Sequence, residues 1–169
     1  MKSEVQLREV TEADLPILFE HQSDPEAARM AAFPSRDREA FMAHWARILA
    51  NPKVTARTIL FEGQVAGNIL SFEKSGKALV GYWIGRKHWG KGVASKALSL
   101  FLLQIKIRPL YAHAARKNVA SIRVLQKCGF TISAEDGAAP DTLIDGVEEV
   151  ILKLSAPGNS VPKPDTGPK

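Results

Sequence analysis

The stretch Gly81-Tyr82-Trp83-Ile84-Gly85-Arg86-Lys87-His88-Trp89-Gly90-Lys91-Gly92-Val93-Ala94-Ser95-Lys96-Ala97-Leu98 decides how this chain folds. It closes an apolar strand-like segment, passes through Gly90-Lys91-Gly92, and opens an amphipathic run that continues to about Ile105. A helix that starts this way has first-turn N–H groups without intrahelical partners, and its dipole favours an anion beside them. Glycine also lets a ligand come close to the backbone. The stretch therefore predicts a phosphate-binding loop, the alternative being a tight strand-to-helix turn with no ligand. A Walker A loop is excluded, because no Gly-x4-Gly-Lys-Ser/Thr occurs. A dinucleotide fingerprint is disfavoured: Ser95 holds the place of its third glycine, and no acid follows before Glu135.

Charge is segregated around this loop. Residues 74–134 carry twelve Lys/Arg and no Asp or Glu, while the rest of the chain holds all eighteen acids. The net charge of +5 is thus +12 on one block and −7 elsewhere. A field of that size points to a polyanionic ligand or partner. The block lacks an RNA-binding motif and its aromatics are not interleaved with the basic residues, so no nucleic acid is expected.

At 169 residues, with 45% hydrophobic and 24% charged residues, the chain is long enough for one domain with a buried core. Its single cysteine, Cys128, cannot form an internal disulfide and fits a reducing compartment. The first residues, Met1-Lys2-Ser3-Glu4, start no secretory apolar region, and no apolar run approaches a membrane span. A cytoplasmic protein without a membrane partner is expected, as monomer or homodimer. Residues 156–169 hold four prolines and two glycines, with Val161 as their one sizeable apolar side chain. The expected organisation is a domain over residues 1–155 and a flexible tail over 156–169.

Residues 5–10 alternate apolar and polar side chains, as a half-buried strand does. Thr11-Glu12-Ala13-Asp14 opens a helix with Leu15, Leu18 and Phe19 on one face, and a second helix runs over 37–49 with Phe41, Trp45 and Ile48 at helical spacing. Three strands follow, at 56–61, 65–73 and 78–84, joined by turns short enough for an antiparallel meander. A helix to about residue 105, a strand at 109–115, a helix at 119–127 and strands at 130–133 and 147–154 complete the pattern. The fold class is α+β: one mostly antiparallel sheet flanked by about four helices.

The quoted stretch resembles the acetyl-coenzyme A signature of the GNAT superfamily of N-acetyltransferases, Gln/Arg-x-x-Gly-x-Gly/Ala. Gly92 and Ala94 fill its last two anchors, and Trp89 stands in the Gln/Arg place. That departure is similar to the branch of ribosomal-protein N-acetyltransferases, in which Trp-Gly-x-Gly is common. Further on, the segment from Asn118 to Phe130 resembles that branch's Asn-x-x-Ser-x-x-x-Leu-x-x-x-Gly-Phe motif through Asn118, Ser121, Leu125, Gly129 and Phe130.

The resemblance implies acetyl transfer from acetyl-coenzyme A, used as co-substrate and without a metal, to a primary amine of unspecified identity. The alternative is a GNAT fold that binds acyl-coenzyme A without transferring it. Ile84 and Arg86 would border a splayed strand that pairs with the pantetheine arm. N–H groups of Gly90, Lys91, Gly92, Val93, Ala94 and Ser95 would receive the pyrophosphate. Arg86 and Lys91 could add charge there or be solvated surface.

Acyl transfer requires a neutral amine, a donor for the oxyanion and a proton for the departing thiolate. Many members use a Tyr seven residues after the Asn as the acid, but Leu125 stands there. Ser121 is the implied replacement, its alternative being a first-turn helix cap. Asn118 combines an N-cap with a hydrogen bond to pantetheine. For the general base, Glu73 at the end of a central strand and His113 on the strand before Asn118 are candidates. Asp136 and Asp141 are two more, in a loop after Phe130, and a water chain would serve instead of any of them. Cys128 reads as a small hydrophobe, and Glu20, Asp24 and Glu26 as acids that could draw a cationic acceptor.

Overall fold

Two tight turns set the centre of the sheet. Glu62-Gly63 and Ser75-Gly76 all adopt positive φ, the backbone of the two-residue hairpin turns that match strand twist. They join β2 (Thr55–Phe61), β3 (Gln64–Lys74) and β4 (Lys77–Ile84) into an antiparallel meander, and β1 (Val5–Glu9) lies against β2. On its other side β4 meets β5 (Leu110–Ala115) in parallel. Next comes β8 (Val147–Leu154), antiparallel to β5, to β6 (Thr131–Ile132) and to the short β7 (Leu143–Ile144). The path through the sheet is β1-β2-β3-β4-β5-β8-β6. This computed structural model describes residues 4–31, 36–133, 143–144 and 147–155. Asp136, Asp141 and the tail lie outside them.

A parallel pair needs a crossover, and the helix α4 (Val93–Gln104) supplies it between β4 and β5. With α5 (Val119–Lys127) it covers one face of the sheet, where Leu98, Phe101, Leu125 and Phe130 pack on Ile59, Ile69 and Leu152. The opposite face carries α1 (Leu15–Ser23) and α3 (Arg38–Ala50), joined through Leu15, Leu18, Phe41 and Trp45. Trp45 is therefore core, as its spacing with Phe41 predicts.

Among the described residues there are five α-helices where about four were expected. The first helical segment is cut by Pro25, which starts α2 (Pro25–Ala31). A residue before proline is pushed out of the helical region, and Asp24 is extended at φ −64°, ψ 117°.

Asp14 ties the start of the first helix to the sheet. Its carboxylate accepts from both terminal nitrogens of Arg8, at 2.8 and 2.9 Å, from the Thr11 N–H at 2.9 Å and from Thr58 Oγ1 at 2.7 Å. Burial pushes this carboxyl up, but the hydrogen bonds from Arg8, Thr11 and Thr58 outweigh it and hold it well below the usual carboxylate range.

Candidate active site at the splay of β4 and β5

β4 and β5 share a single aligned pair, Leu79 with Tyr111. Beyond it they diverge, so among the described residues the last residues of β4 have no strand partner on that side. Alternate backbone N–H and C=O groups of β4 therefore face a gap instead of a ladder. The gap opens into a cavity of about 470 Å³, within the range of small-molecule sites. Tyr82, Trp83 and Ile84 form its floor, the loop from Trp89 to Ser95 one wall, the first turns of α5 another, and Ala27 and Met30 of α2 its far side.

The loop wall is built for an anion. Gly90 and Gly92 take φ of +77° and +78°, a left-handed backbone that other residues adopt only with strain. Gly92 is the N-cap of α4 and supplies no side chain to its first turn, which contains no acid. A Cβ at either glycine would project into open space, so the backbone is approachable there. These first-turn donors fit a pyrophosphate. Trp89, in the Gln/Arg place of the signature, donates its indole N–H to the Ile84 carbonyl at 2.9 Å and so pins the loop to the end of β4. Behind the loop, the His21 ring lies where a Cβ at Gly85 would come within 2.6 Å, and the Trp83 indole donates to the His21 carbonyl at 3.1 Å.

α5 brings the hydroxyl wall. The Asn118 side chain accepts from the Ser121 N–H at 3.3 Å as the helix N-cap, and both residues line the cavity. Ser121 Oγ lies 2.8 Å from the Tyr82 hydroxyl, which reaches across from β4. Burial pushes the Tyr82 phenol up to about 12, against the Ser121 hydrogen bond.

Not every residue singled out from the sequence arrives here. Ile84, Gly90, Gly92, Val93, Ala94, Ser95, Asn118 and Ser121 line the cavity; Arg86, Lys91, Glu73 and His113 do not. Arg86 Nε instead pairs with Asp24 at 2.9 Å, and the Lys91 ammonium sits over the Phe61 ring. Glu73 is opposite Ala78, beside the β3–β4 turn, whereas Gly67 is opposite Ile84. An antiparallel hairpin returns the end of β3 to the start of β4, so Glu73 belongs to the far end of the sheet from the splay. His113 forms a 3.2 Å contact with Glu149 across β5 and β8. Asp24 is occupied by Arg86 and Glu26 pairs with Arg29, while Glu20 is exposed.

The cavity also holds residues that motif reading passed over. Arg123 and Lys127 line it from α5 and supply the positive charge assigned beforehand to Arg86 and Lys91. Helical spacing was the available signal, since positions 120, 123, 124 and 127 share the face that carries the wall. Tyr82 stood in the quoted stretch, but only the packing of α5 on β4 brings its hydroxyl to Ser121. His88 also lines the cavity; its ring is buried, edge-on to Phe61, and burial holds it below the usual imidazole range. No acid lines the cavity among the described residues, and no group of three or more His, Cys, Asp or Glu there could hold a metal. No described helix is long and apolar enough to cross a membrane.

A mixed sheet that splays beside a glycine-capped helix start is the architecture of the GNAT acetyltransferases. The model of the acetyltransferase (GNAT) domain matches residues 4–131, and the chain belongs to that family. Similar solved structures include a ribosomal L7/L12 alpha-N-protein acetyltransferase in complex with coenzyme A. It is 18% identical at a TM-score of 0.76, covering 90% of this chain and 94% of that one. Spermidine N-acetyltransferase from Vibrio cholerae, in complex with coenzyme A and spermine, is 16% identical at a TM-score of 0.71, covering 88% and 92%. An acetyltransferase from Bacillus anthracis is 18% identical at 0.74, covering 91% and 96%. Among curated proteins, the uncharacterized N-acetyltransferase p20 of Bacillus licheniformis is 32% identical over 62 residues. That match spans 34% of this chain and about a third, 35%, of the relative.

Proposed function

We propose that this protein transfers the acetyl group of acetyl-coenzyme A directly to a primary amine. The observation that carries the reading is the single cavity in which the bare start of α4, the unpaired edge of β4 and the Ser121 hydroxyl meet. In this reading N–H groups from Gly90 to Ser95 hold the pyrophosphate, with Arg123 and Lys127 adding positive charge beside it. Asn118 and the free edge of β4 engage the pantetheine arm, and a β4 N–H near Ile84 receives the developing oxyanion. The amine nitrogen bonds to the carbonyl carbon while the C–S bond breaks, and Ser121 Oγ supplies the proton to the leaving sulfur. The surplus proton on nitrogen leaves through water, with no carboxylate required at the wall.

The acetyltransferase domain would span residues 1–155, in a reducing cytoplasm, as monomer or homodimer. Two of the similar structures are enzymes for a protein N-terminus and for spermidine, which supports an amine acceptor of either kind. On this chain the acceptor end is walled by Ala27, Met30 and Trp83. With Asp24 and Glu26 already paired, these acids lend little support to a cationic acceptor. Thiol release from acetyl-coenzyme A, measured with a panel of peptides, polyamines and apolar amines, tests the proposal. Amine-dependent release with acetylated product is expected. Tight coenzyme A binding without release from any amine would favour a non-catalytic acyl-coenzyme A sensor.

A further inference from the structure

The hydroxyl that delivers the proton does not stand alone. We infer that Tyr82 is a positioning residue for the transfer: its phenol donates to Ser121 Oγ and passes a proton through it to the departing sulfur. The inference rests on the transferase reading and adds a residue that neither sequence motif contains as a functional position.

Three observations carry it. The Tyr82 and Ser121 oxygens are 2.8 Å apart, a good O–H···O distance. Both residues line the cavity, one from β4 and one from α5, so the pair bridges the two walls of the splay. The backbone carbonyl of Ser121 is a poorer acceptor for the phenol at 3.4 Å, which leaves Oγ as its partner. Once Oγ accepts from Tyr82, the hydrogen of Ser121 is free to point into the cavity. Hydrogen bonds in such a chain polarise one another, so Tyr82 makes Ser121 a better donor than a solitary serine.

Burial keeps the phenol protonated at ordinary pH, so the chain always starts with its proton in place. When the C–S bond breaks, its electron pair stays on sulfur and takes the Ser121 proton. The Tyr82 proton follows onto Oγ, which places the transient charge on a phenol instead of on a less acidic serine alkoxide. Water then returns to Tyr82 the proton released by the acceptor nitrogen. One proton moves in total, from nitrogen to sulfur.

The test needs no knowledge of the acceptor. Coenzyme A is bound to the full chain and its thiol is titrated by the ultraviolet absorbance of the thiolate. A hydrogen bond that stabilises the thiolate lowers the pH of ionisation. The wild-type complex should ionise below free coenzyme A. Tyr82→Phe, which removes one oxygen, should raise the midpoint by about one pH unit. Ser121→Ala should raise it at least as far, and Tyr82→Phe should add nothing in the Ser121→Ala background. Coenzyme A affinity should stay within about threefold throughout, the ring of Tyr82 being retained. With any accepted amine, Tyr82→Phe should lower kcat about tenfold, the rate equivalent of one hydrogen bond, with KM unchanged. Identical midpoints in wild type and Tyr82→Phe, or shifts that simply add in the double variant, would overturn the inference. Failure of the transferase reading looks different: the thiol shift survives, but no amine is acetylated.

Discussion

The helices on the two faces of the sheet begin in opposite ways. On the α1 and α3 face, each start brings its own anion. Asp14 accepts from Thr11 and Arg8, and Asp37 accepts from the Ala40 N–H at 2.7 Å. On the cavity face, α4 starts at Gly92 with no side chain to offer and α5 starts at the neutral Asn118, with no acid in either first turn. The orphan N–H groups of a helix are capped by the Asp37 carboxylate at α3 and by the neutral Asn118 amide at α5, whereas no side chain caps those of α4 beside the cavity. The contrast has its counterpart in composition, since the block of residues 74–134 that contains both cavity-side starts has no acid at all. The acid-free block thus contains the two helix starts, α4 and α5, whose first turns line the cavity.

The contrast can be pressed, beginning with the largest expected effect. Ser121→Ala removes the hydroxyl at the start of α5 and keeps the Asn118 cap. Steady-state kcat should fall about 100- to 10,000-fold while calorimetric affinity for coenzyme A is retained. A wild-type kcat would leave Ser121 as a helix residue only.

Ser95→Asp would give α4 the acid that the other face already has. Ser95 is the third residue of this helix and lines the cavity. Coenzyme A affinity should drop about 100-fold, the effect of a negative charge some 6 Å from another at an effective dielectric of about 20. Thermal stability should hold or rise, because an acid in the first turn is worth about 0.3–1 kcal/mol to the helix. Unchanged affinity would remove the phosphate from this loop. Substituting Gly92 is a poorer experiment, since its φ of +78° adds backbone strain to any change of charge.

Asp14→Asn acts on the opposite face and should cost about 2 kcal/mol at neutral pH, since charge-assisted bonds are lost and Arg8 keeps only a neutral partner. Because the folded-state carboxyl is held below its unfolded value of about 3.9, its contribution is complete above that pH and disappears as pH falls through the folded value. The gap in melting temperature between wild type and variant should therefore narrow below about pH 4. A gap that is constant with pH would assign Asp14 a packing role alone. Asp37→Ala, the smallest of these effects, should lower stability by about 1 kcal/mol and leave coenzyme A affinity untouched. Any loss of binding there would break the division of labour between the faces.

Much of this was legible along the chain because it depends on near neighbours. Alternation, helical spacing and two-residue turns are local, so the meander of β2 to β4 and the helices α3, α4 and α5 follow from them. The loop was legible for the same reason: a strand, two glycines and a helix are contiguous. The cut between α1 and α2 was equally local, but the rule for the residue before Pro25 had to be applied to see it. The sites that misled were those whose meaning depends on what lies opposite. Glu73 is near the splay in sequence, and hairpin pairing sends it to the other end. Arg86 belongs to the basic block, yet Asp24, 62 positions earlier, takes its guanidinium.

By itself, then, the amino-acid sequence determined the fold class, the family, the bare helix start and the neutral cap with its serine, because each rests on backbone preferences and spacings within a few residues. Only the tertiary structure decided which cations reach the cavity, that Trp89 locks the loop to Ile84, and that Tyr82 stands 2.8 Å from Ser121. The Tyr82–Ser121 contact joins β4 to a helix 39 positions away. The cavity that both residues border opens where β4 diverges from β5, a property of two strands side by side that neither strand carries in its own sequence.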